Sequence, residues 1–443
     1  MKQNKPIRRL AVIWGMLLLC VILVQGKVHA KGVSDYGTLQ VLGTHLVSSK
    51  TGEPVMLRGV STHGINWDVG YPYISKEAFQ TLRDRYAVNV VRLAMYTTEY
   101  YGYCDKAGAA ESQSVVQTTL KQRIDTGVRA ATELGMYVII DWHVLNDQNP
   151  QRYQEQAKAF FKEMSAKYAG QNNVLYEICN EPNGGTSWDD IRSYAQEIIP
   201  VIRSNDTDAI VIVGTPTWSQ DVDVAADKPL EYNNVLYAFH FYAATHKDSY
   251  REKVKTAISK GLPVFVSEFG VSEASGNGNL DTKEAKKWLD LLDANGIGYV
   301  AWSLSNKAET ASLLKAGTSK TSGWTKKDLS AAGQWILSQY PVRSGEEKVN
   351  VLSKVTGLKL QRKSAGKMKV QFSSVSGADG YQVVYSTNKS FHKAKKKILY
   401  SKKKILSGLR SGKVYYVKVR AFQKQNGART YGAYSGVKKI RVK

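Results

Sequence analysis

Short apolar runs alternate with longer amphipathic stretches from residue 50 to residue 340. The runs predict strands at Val55–Val60, Val88–Met95, Tyr137–Trp142, Val174–Cys179, Ile210–Gly214, Val235–Phe241, Val264–Glu268 and Tyr299–Leu304. Helical spacing falls between most of them, at Lys76–Tyr86, Val115–Leu134, Gln151–Tyr168, Trp188–Arg203, Asp248–Lys260 and Asp281–Ala294, with a last helix over Asp328–Tyr340. Thr217–Glu231 has no clear period and reads as a loop with a short helix. Eight strands alternating with helices predict an α/β chain whose main domain, residues 31–340, is a (β/α)8 TIM barrel. An open doubly wound sheet competes, but no Gly-rich phosphate turn opens the first strand–helix unit. Ahead of the barrel, Leu39–Val41 and His45–Val47 flank Leu42-Gly43-Thr44, a hairpin placed to plug its N-terminal end.

The pattern changes after residue 350. Met368, Val370 and Phe372 alternate with Lys367, Lys369 and Gln371, and Tyr415, Val417, Val419 and Ala421 alternate with Tyr416, Lys418 and Arg420. Period two with turns such as Ser376-Gly377-Ala378-Asp379-Gly380 predicts a small all-β, immunoglobulin-like sandwich over residues 351–443, joined by a polar linker at 341–350. Residues 1–30 read as a signal peptide: Lys2, Lys5, Arg8 and Arg9, then an apolar stretch from Leu10 to Val24, then Val28-His29-Ala30. That stretch is shorter than the ~20 residues of a spanning helix, so a secreted, extracellular protein without a membrane span is expected. The mature chain keeps Cys104 and Cys179, too few for a disulfide framework.

Charge sharpens the division. The net charge is +24, but from Lys348 onward 25 basic residues face one acid, Asp379, while residues 31–347 hold 32 basic and 37 acidic residues. The basicity belongs to the tail, and attachment to an anionic cell-wall polymer is the partner it implies, against a bland reading as a solvated spacer. Nucleic acid is an unexpected partner for a secreted protein.

The candidate chemistry sits at strand ends. Ile178-Cys179-Asn180-Glu181-Pro182 and Val266-Ser267-Glu268-Phe269-Gly270 each place a glutamate at the end of an apolar run. In a barrel these ends converge on one rim, and two carboxylates across one cleft are the minimum equipment for cleaving a glycosidic bond with retention. Arg92 is placed on the rim to hold a neighbouring carboxylate ionised. Tyr242 is placed to donate to the nucleophile, and Asn180 to touch a sugar hydroxyl. His63, His143 and His240 also fall at strand ends, without a His-x-Glu or His-x-x-x-His spacing, so no metal and no cofactor is expected. Trp67, Tyr96, Trp142, Tyr242 and Trp302 supply rings on which sugar faces stack, whereas Trp288 and Trp335 on helices are expected in the core.

These strings resemble a bacterial endo-β-1,4-glucanase of glycoside hydrolase family 5. The matching segments are Arg58-Gly59-Val60-Ser61-Thr62-His63-Gly64, Val91-Arg92-Leu93-Ala94-Met95-Tyr96, Ile140-Asp141-Trp142-His143, Tyr176-Glu177-Ile178-Cys179-Asn180-Glu181-Pro182, Phe239-His240-Phe241-Tyr242, Ser267-Glu268-Phe269-Gly270 and Trp302 to Glu309. The resemblance implies Glu181 as proton donor and Glu268 as nucleophile; Arg92, Asn180, His240 and Tyr242 are the expected catalytic support. It further implies sugar contacts from His63, Trp67, Tyr96, His143, His240, Tyr242, Ala274, Trp302, Lys307 and Glu309, no metal and a β-glucan substrate; a monomer is expected. Asn66 stands where relatives commonly carry Gln. A related β-glycanase acting on mannan, xyloglucan or mixed-linkage glucan is the alternative, and a non-catalytic glycan binder would lack one glutamate. The tail is similar to a fibronectin type III module: Leu409 to Tyr415, then Val417 and Val419, fit its tyrosine-corner strand, with Phe372 where a buried Trp is usual.

Overall fold

Eight parallel strands close on themselves in the computed structural model of this chain, which describes residues 31–340, 352–425 and 428–443. The predicted signal peptide (1–30) and linker (341–350) lie outside the described residues. A short helix, α1 (Val33–Tyr36), and the hairpin β1 (Leu39–Leu42) and β2 (His45–Ser48) come first. The barrel strands are β3 (Arg58–Thr62), β4 (Val90–Tyr96), β5 (Tyr137–His143), β6 (Val174–Glu177), β7 (Ile210–Val213), β8 (Val235–Tyr242), β9 (Val264–Gly270) and β10 (Tyr299–Leu304). The helices are α2 (Lys76–Tyr86), α3 (Gln113–Glu133), α4 (Gln154–Lys167), α5 (Trp188–Arg203), the four-residue α6 (Pro216–Ser219) and α7 (Val222–Ala225), then α8 (Asp248–Lys260), α9 (Thr282–Ala294) and α10 (Ala331–Ser338). The last helix starts at Ala331, not Asp328. Ser330 caps it by accepting from the Gly333 N–H, while the Asp328 carboxylate is held by Thr325 and Lys320.

Strand alternation builds the interior in tiers. At the floor, Val90, Tyr137, Ile139, Leu175, Ile212, Leu236, Phe265 and Val300 meet Leu39 and Leu46 of the hairpin, which closes that end. The Val41 N–H donates to Asn234 Oδ1 at 2.9 Å and fixes the hairpin to the barrel. One tier higher the inward positions turn polar, with Ser61, Arg92, Asp141, Glu177, His240 and Ser267 all buried. Between them the outward residues, Val91, Leu93 and Met95 on β4 for example, pack under the helices. Trp288 is fully buried there, stacked on Phe241, while Trp335 is only partly covered.

β9 breaks the alternation. Val266 and Phe269 both face the helical layer, so Ser267 and Glu268 turn inward one after the other. The register steps between Ala238 and His240 on β8 and between Tyr299 and Ala301 on β10, the signature of a β-bulge.

The C-terminal strands are β11 (Lys359–Arg362), β12 (Met368–Gln371), β13 (Gly380–Ser386), β14 (Lys395–Leu399), β15 (Lys403–Leu406), β16 (Val414–Gln425), β17 (Ala428–Tyr431) and β18 (Lys438–Arg441). They form a three-stranded antiparallel sheet, β11-β12-β15, and a five-stranded one, β14-β13-β16-β17 with β18 also on β16. Met368, Val370 and Phe372 share one apolar core with Val383, Val417 and Val419. Arg420, assigned by alternation to the outer face, is 6% exposed because that face lies on the barrel. Its guanidinium covers the Tyr431 ring at 3.9 Å and donates to Gln382 Oε1 at 3.0 Å and to the Lys260 carbonyl, at the end of α8, at 3.4 Å. Gly261 (φ 90°) ends α8 where a Cβ would collide with that guanidinium, and a Cβ on Gly43 (φ 67°) would overlap the Tyr431 carbonyl. The sheets therefore seat against the barrel floor. Among the described residues Cys104 and Cys179 are free, and no helix is long and apolar enough to cross a membrane.

Candidate active site

The C-terminal strand ends surround a cleft of about 690 Å³. Its wall includes His63, Trp67, Tyr96, His143, Glu181, His240, Tyr242, Glu268, Ala274, Trp302, Lys307 and Glu309. Arg92, Asn180 and Trp142 do not reach it: the Trp142 ring, expected to carry a sugar face, points away into the helical layer and is fully buried against Tyr103 and Phe160. Arg92 is not on the rim: β4 alternation drops it one tier below, fully buried, where it acts on the cleft from beneath. Asn180 is equally buried, and its carboxamide is engaged by Arg92 Nη2 at 2.6 Å and the Val144 carbonyl at 3.1 Å, so it holds the tier together and does not face the cleft.

Arg92 is the hub. Its Nε donates to Glu177 Oε2 at 2.7 Å, Nη1 to Glu268 Oε2 at 3.0 Å, and Nη2 lies 3.0 Å from Asp141 Oδ2. Burial alone would lower its proton affinity, but Asp141, Glu177 and Glu268 raise it above the ordinary value. The guanidinium is the fixed counter-charge of the site.

Glu181 lies just past the end of β6, its N–H bound to the Val144 carbonyl at 3.1 Å. Its Oε1 is 2.8 Å from His240 Nδ1. Glu268 accepts from the Tyr242 hydroxyl at 2.8 Å on one oxygen and from Arg92 on the other. Donor atoms of Glu181, His240 and Glu268 all lie within 4.8 Å of one another. Burial pushes both carboxyls up, Glu181 to about 8 and Glu268 to about 7. Repulsion from Glu181 adds to burial at Glu268, and His240, Arg92 and Tyr242 pull it back toward the ionised form. The pair therefore tends to share one proton, with the site favouring it on Glu181. His240 is pushed down to about 4 by burial and stands neutral.

Around this pair, His143 stacks on Trp302 with ring centroids 5.4 Å apart and meets the Tyr96 ring at a tilt, 4.1 Å between centroids. Its Nδ1 is 2.6 Å from Asp141 Oδ2. Lys307 pairs with Glu309 at 2.6 Å, and His63 Nε2 lies 3.7 Å from the same carboxylate. Asn66 turns inward, its Nδ2 donating to the Tyr96 and Tyr101 carbonyls, and so shapes the aromatic loop without lining the cleft.

Two carboxyls, Glu268 buried and Glu181 half-buried, face one aromatic cleft with different partners, an arrangement that can support proton transfer from one and nucleophilic attack by the other. Residues 48–308 match the cellulase family, glycosyl hydrolase family 5. The chain belongs to glycosyl hydrolase family 5. Among its family relatives, Endoglucanase A of Butyrivibrio fibrisolvens is 49% identical over 306 residues, 69% of this chain and 68% of that protein. An endoglucanase of Clostridium saccharobutylicum is 47% identical over 311 residues, 70% of this chain and 66% of that protein. Among solved structures, cellulase Cel5C_n superposes with a TM-score of 0.65 at 41% identity, covering 74% of this chain and 97% of that one. A variant of the catalytic domain of Thermobifida fusca endoglucanase Cel5A in complex with cellotetraose gives 0.63 at 36% identity, over 70% of this chain and 99% of that one. The family match ends at residue 308, before the C-terminal sheets.

This family 5 glycoside hydrolase also places in its cleft residues that sequence reading missed: Glu99, Trp218, Gln220, His246 and Tyr250. Trp218 is 45% exposed and sits in a left-handed turn after β7 (φ 53°). It follows a strand end like the other cleft aromatics, and the irregular stretch around it hid the signal.

Proposed function

We propose that this enzyme is a secreted endo-β-1,4-glucanase that hydrolyses internal bonds of cellulose or soluble β-glucan by retaining double displacement. The observation that carries the reading is the approach of Glu181 and Glu268 within one cleft. The relatives named endoglucanase, and the similar domain in complex with cellotetraose, favour a β-1,4-linked glucose chain as substrate.

In this reading Glu268, held ionised by Arg92 and Tyr242, attacks the anomeric carbon as Glu181 gives its proton to the departing glycosidic oxygen. Glu181 then takes a proton from the water whose oxygen displaces Glu268, so the β configuration is retained. Trp302, Trp67 and Tyr96 carry the sugar faces, while His63, Lys307 and Glu309 meet hydroxyls at one end. Digestion of carboxymethylcellulose with NMR of the first-formed product tests it: a β-anomer is expected, and an α-anomer or no cleavage would overturn it. A parallel panel of mannan, xyloglucan and mixed-linkage glucan reads the substrate preference.

Turnover requires Glu268 ionised and Glu181 protonated. Activity should fall on the acid side as pH drops through about 7, and on the alkaline side as pH rises through about 8. A near-neutral bell in kcat/KM on an aryl cellotrioside is the expected profile, its limbs belonging to the coupled pair. Trp218→Ala removes an exposed ring without opening the core. It should raise KM for long cello-oligosaccharides by about tenfold and leave kcat on short ones nearly unchanged, the signature of lost uniform binding.

The tail is proposed as a fibronectin type III-like module that attaches the enzyme to anionic cell-wall polymer. Its tyrosine corner supports the likeness: the Tyr415 hydroxyl accepts from the Arg410 N–H at 3.0 Å. Lys395, Lys396 and Lys397 on β14 and Lys403 and Lys404 on β15 are exposed and supply positive charge to both sheets. Full-length enzyme should sediment with anionic cell walls at low salt and release as salt screens the attraction. Binding unchanged in a variant with these lysines replaced by glutamine would refute the attachment role.

A further inference from the structure

We propose that Ser267 and Glu177 decide which catalytic carboxyl carries the proton, by fixing the tautomer of His240. The proposal rests on the retaining reading above and adds two positioning residues to it. Neither residue lines the cleft, and both are fully buried.

The argument is a count of hydrogens along a chain of contacts. Glu177 is gripped by the Arg92 fork, with Nε at 2.7 Å and Nη2 at 3.4 Å, which favours its ionised form although burial pushes its carboxyl up. An ionised carboxylate only accepts. The Ser267 hydroxyl, 2.7 Å from Glu177 Oε1, therefore spends its single hydrogen there. What it offers His240 Nε2, 2.9 Å away, is a lone pair, so Nε2 carries the imidazole hydrogen. Neutral His240 has no second hydrogen, and Nδ1 is left bare. That bare nitrogen lies 2.8 Å from Glu181 Oε1. A lone pair facing a carboxylate oxygen at this separation is repulsive unless the carboxyl is protonated. The chain Arg92–Glu177–Ser267–His240 thus requires a hydrogen on Glu181.

The bulge in β9 makes this possible. It turns Ser267 toward Glu177 and His240 while the next residue, Glu268, reaches Arg92 and Tyr242. Both carboxyls are desolvated, and burial alone does not say which holds the shared proton; the tautomer does. The charged and titratable groups facing Glu181 are His240 and Glu268 beside it, Tyr242 and Tyr96 across the cleft, and Arg92, Asp141 and Glu177 beneath. Of these, only His240 is within hydrogen-bonding distance of Glu181 among the contacts described. The same arrangement serves the second half of the cycle. Once Glu181 has given its proton away, its carboxylate faces the bare nitrogen, and that repulsion drives it to take a proton from the incoming water. The water oxygen bonds to the anomeric carbon as the bond to Glu268 breaks.

Ser267→Ala tests the proposal. Without the hydroxyl His240 is free to move its hydrogen to Nδ1 and donate to Glu181, stabilising the carboxylate. The alkaline limb of kcat/KM should then move down by about one pH unit. Turnover of cellotetraose, whose leaving group needs a proton, should fall at least tenfold more than that of dinitrophenyl β-cellobioside, whose leaving group does not. Ser267→Thr keeps the hydroxyl and should restore both. An unmoved limb, or equal losses on the two substrates, overturns the proposal. Nitrogen-15 NMR of the imidazoles in the unaltered enzyme reads the tautomer even if the alanine variant fails to fold. Nδ1 of His240 should resonate as an unprotonated, pyridine-like nitrogen, and a protonated Nδ1 overturns the proposal. An enzyme that cleaves no β-glucan at all would sink the retaining reading instead, while the nitrogen shifts still report on the lock.

Discussion

Glu268→Gln should reduce kcat on carboxymethylcellulose by on the order of 10⁵-fold while the protein still folds, since removing a covalent nucleophile costs nearly the whole chemical step. The amide is isosteric, and one of its ends can still accept from Tyr242 or Arg92, so the fold loses little. Glu181→Gln should cost less, about 10² to 10⁴-fold, with most of the loss recovered on dinitrophenyl β-cellobioside, which leaves without a proton. Circular dichroism on each variant separates lost chemistry from lost structure. Wild-type enzyme trapped with a fluorinated cellobioside should carry its added mass on the peptide holding Glu268. Full activity of either glutamine variant would remove the proposed roles.

The second large effect concerns stability as well as rate. Arg92→Met would leave Asp141, Glu177 and Glu268 buried beside an apolar side chain, with their shared cation gone. Removing one partner from a buried ionic cluster costs about 3–5 kcal/mol, because the remaining charges are neither paired nor hydrated. Urea unfolding should show that loss at pH 8. It should shrink toward pH 5, where carboxyls relieved of their counter-ion become protonated and uncharged. Activity should be lost throughout, since Glu268 no longer has the charge that holds it ionised. A loss below about 1 kcal/mol at pH 8 would mean that water reaches the tier and screens it.

Much of the barrel was legible because parallel strands buried on both faces must be apolar almost throughout, and eight such runs alternating with helices leave few architectures. The glutamates stood out because charge at the end of an apolar run is costly unless used. The polar tier was harder. Asp141, Glu177 and Ser267 are single polar residues inside strands, and only barrel closure shows that they meet around Arg92 and His240. Strict alternation from Phe265 would have turned Glu268 outward with Val266, and the bulge that corrects this leaves no mark in the hydropathy of Val-Ser-Glu-Phe-Gly. Arg92 and Asn180 lie beneath the rim because the depth of an inward residue is set by barrel closure, which a linear pattern does not display. Arg420 shows the same blindness in the tail, where a face read as solvated is covered by another domain.

The seating of the basic sheets on the barrel floor has a directional consequence. The hairpin and the end of α8 that receive them lie at the pole away from Glu181 and Glu268. A molecule held through these sheets would carry its attachment and its aperture at separate poles. Attachment and turnover would then be separately adjustable, since among the described residues none of the C-terminal sheets borders the opening.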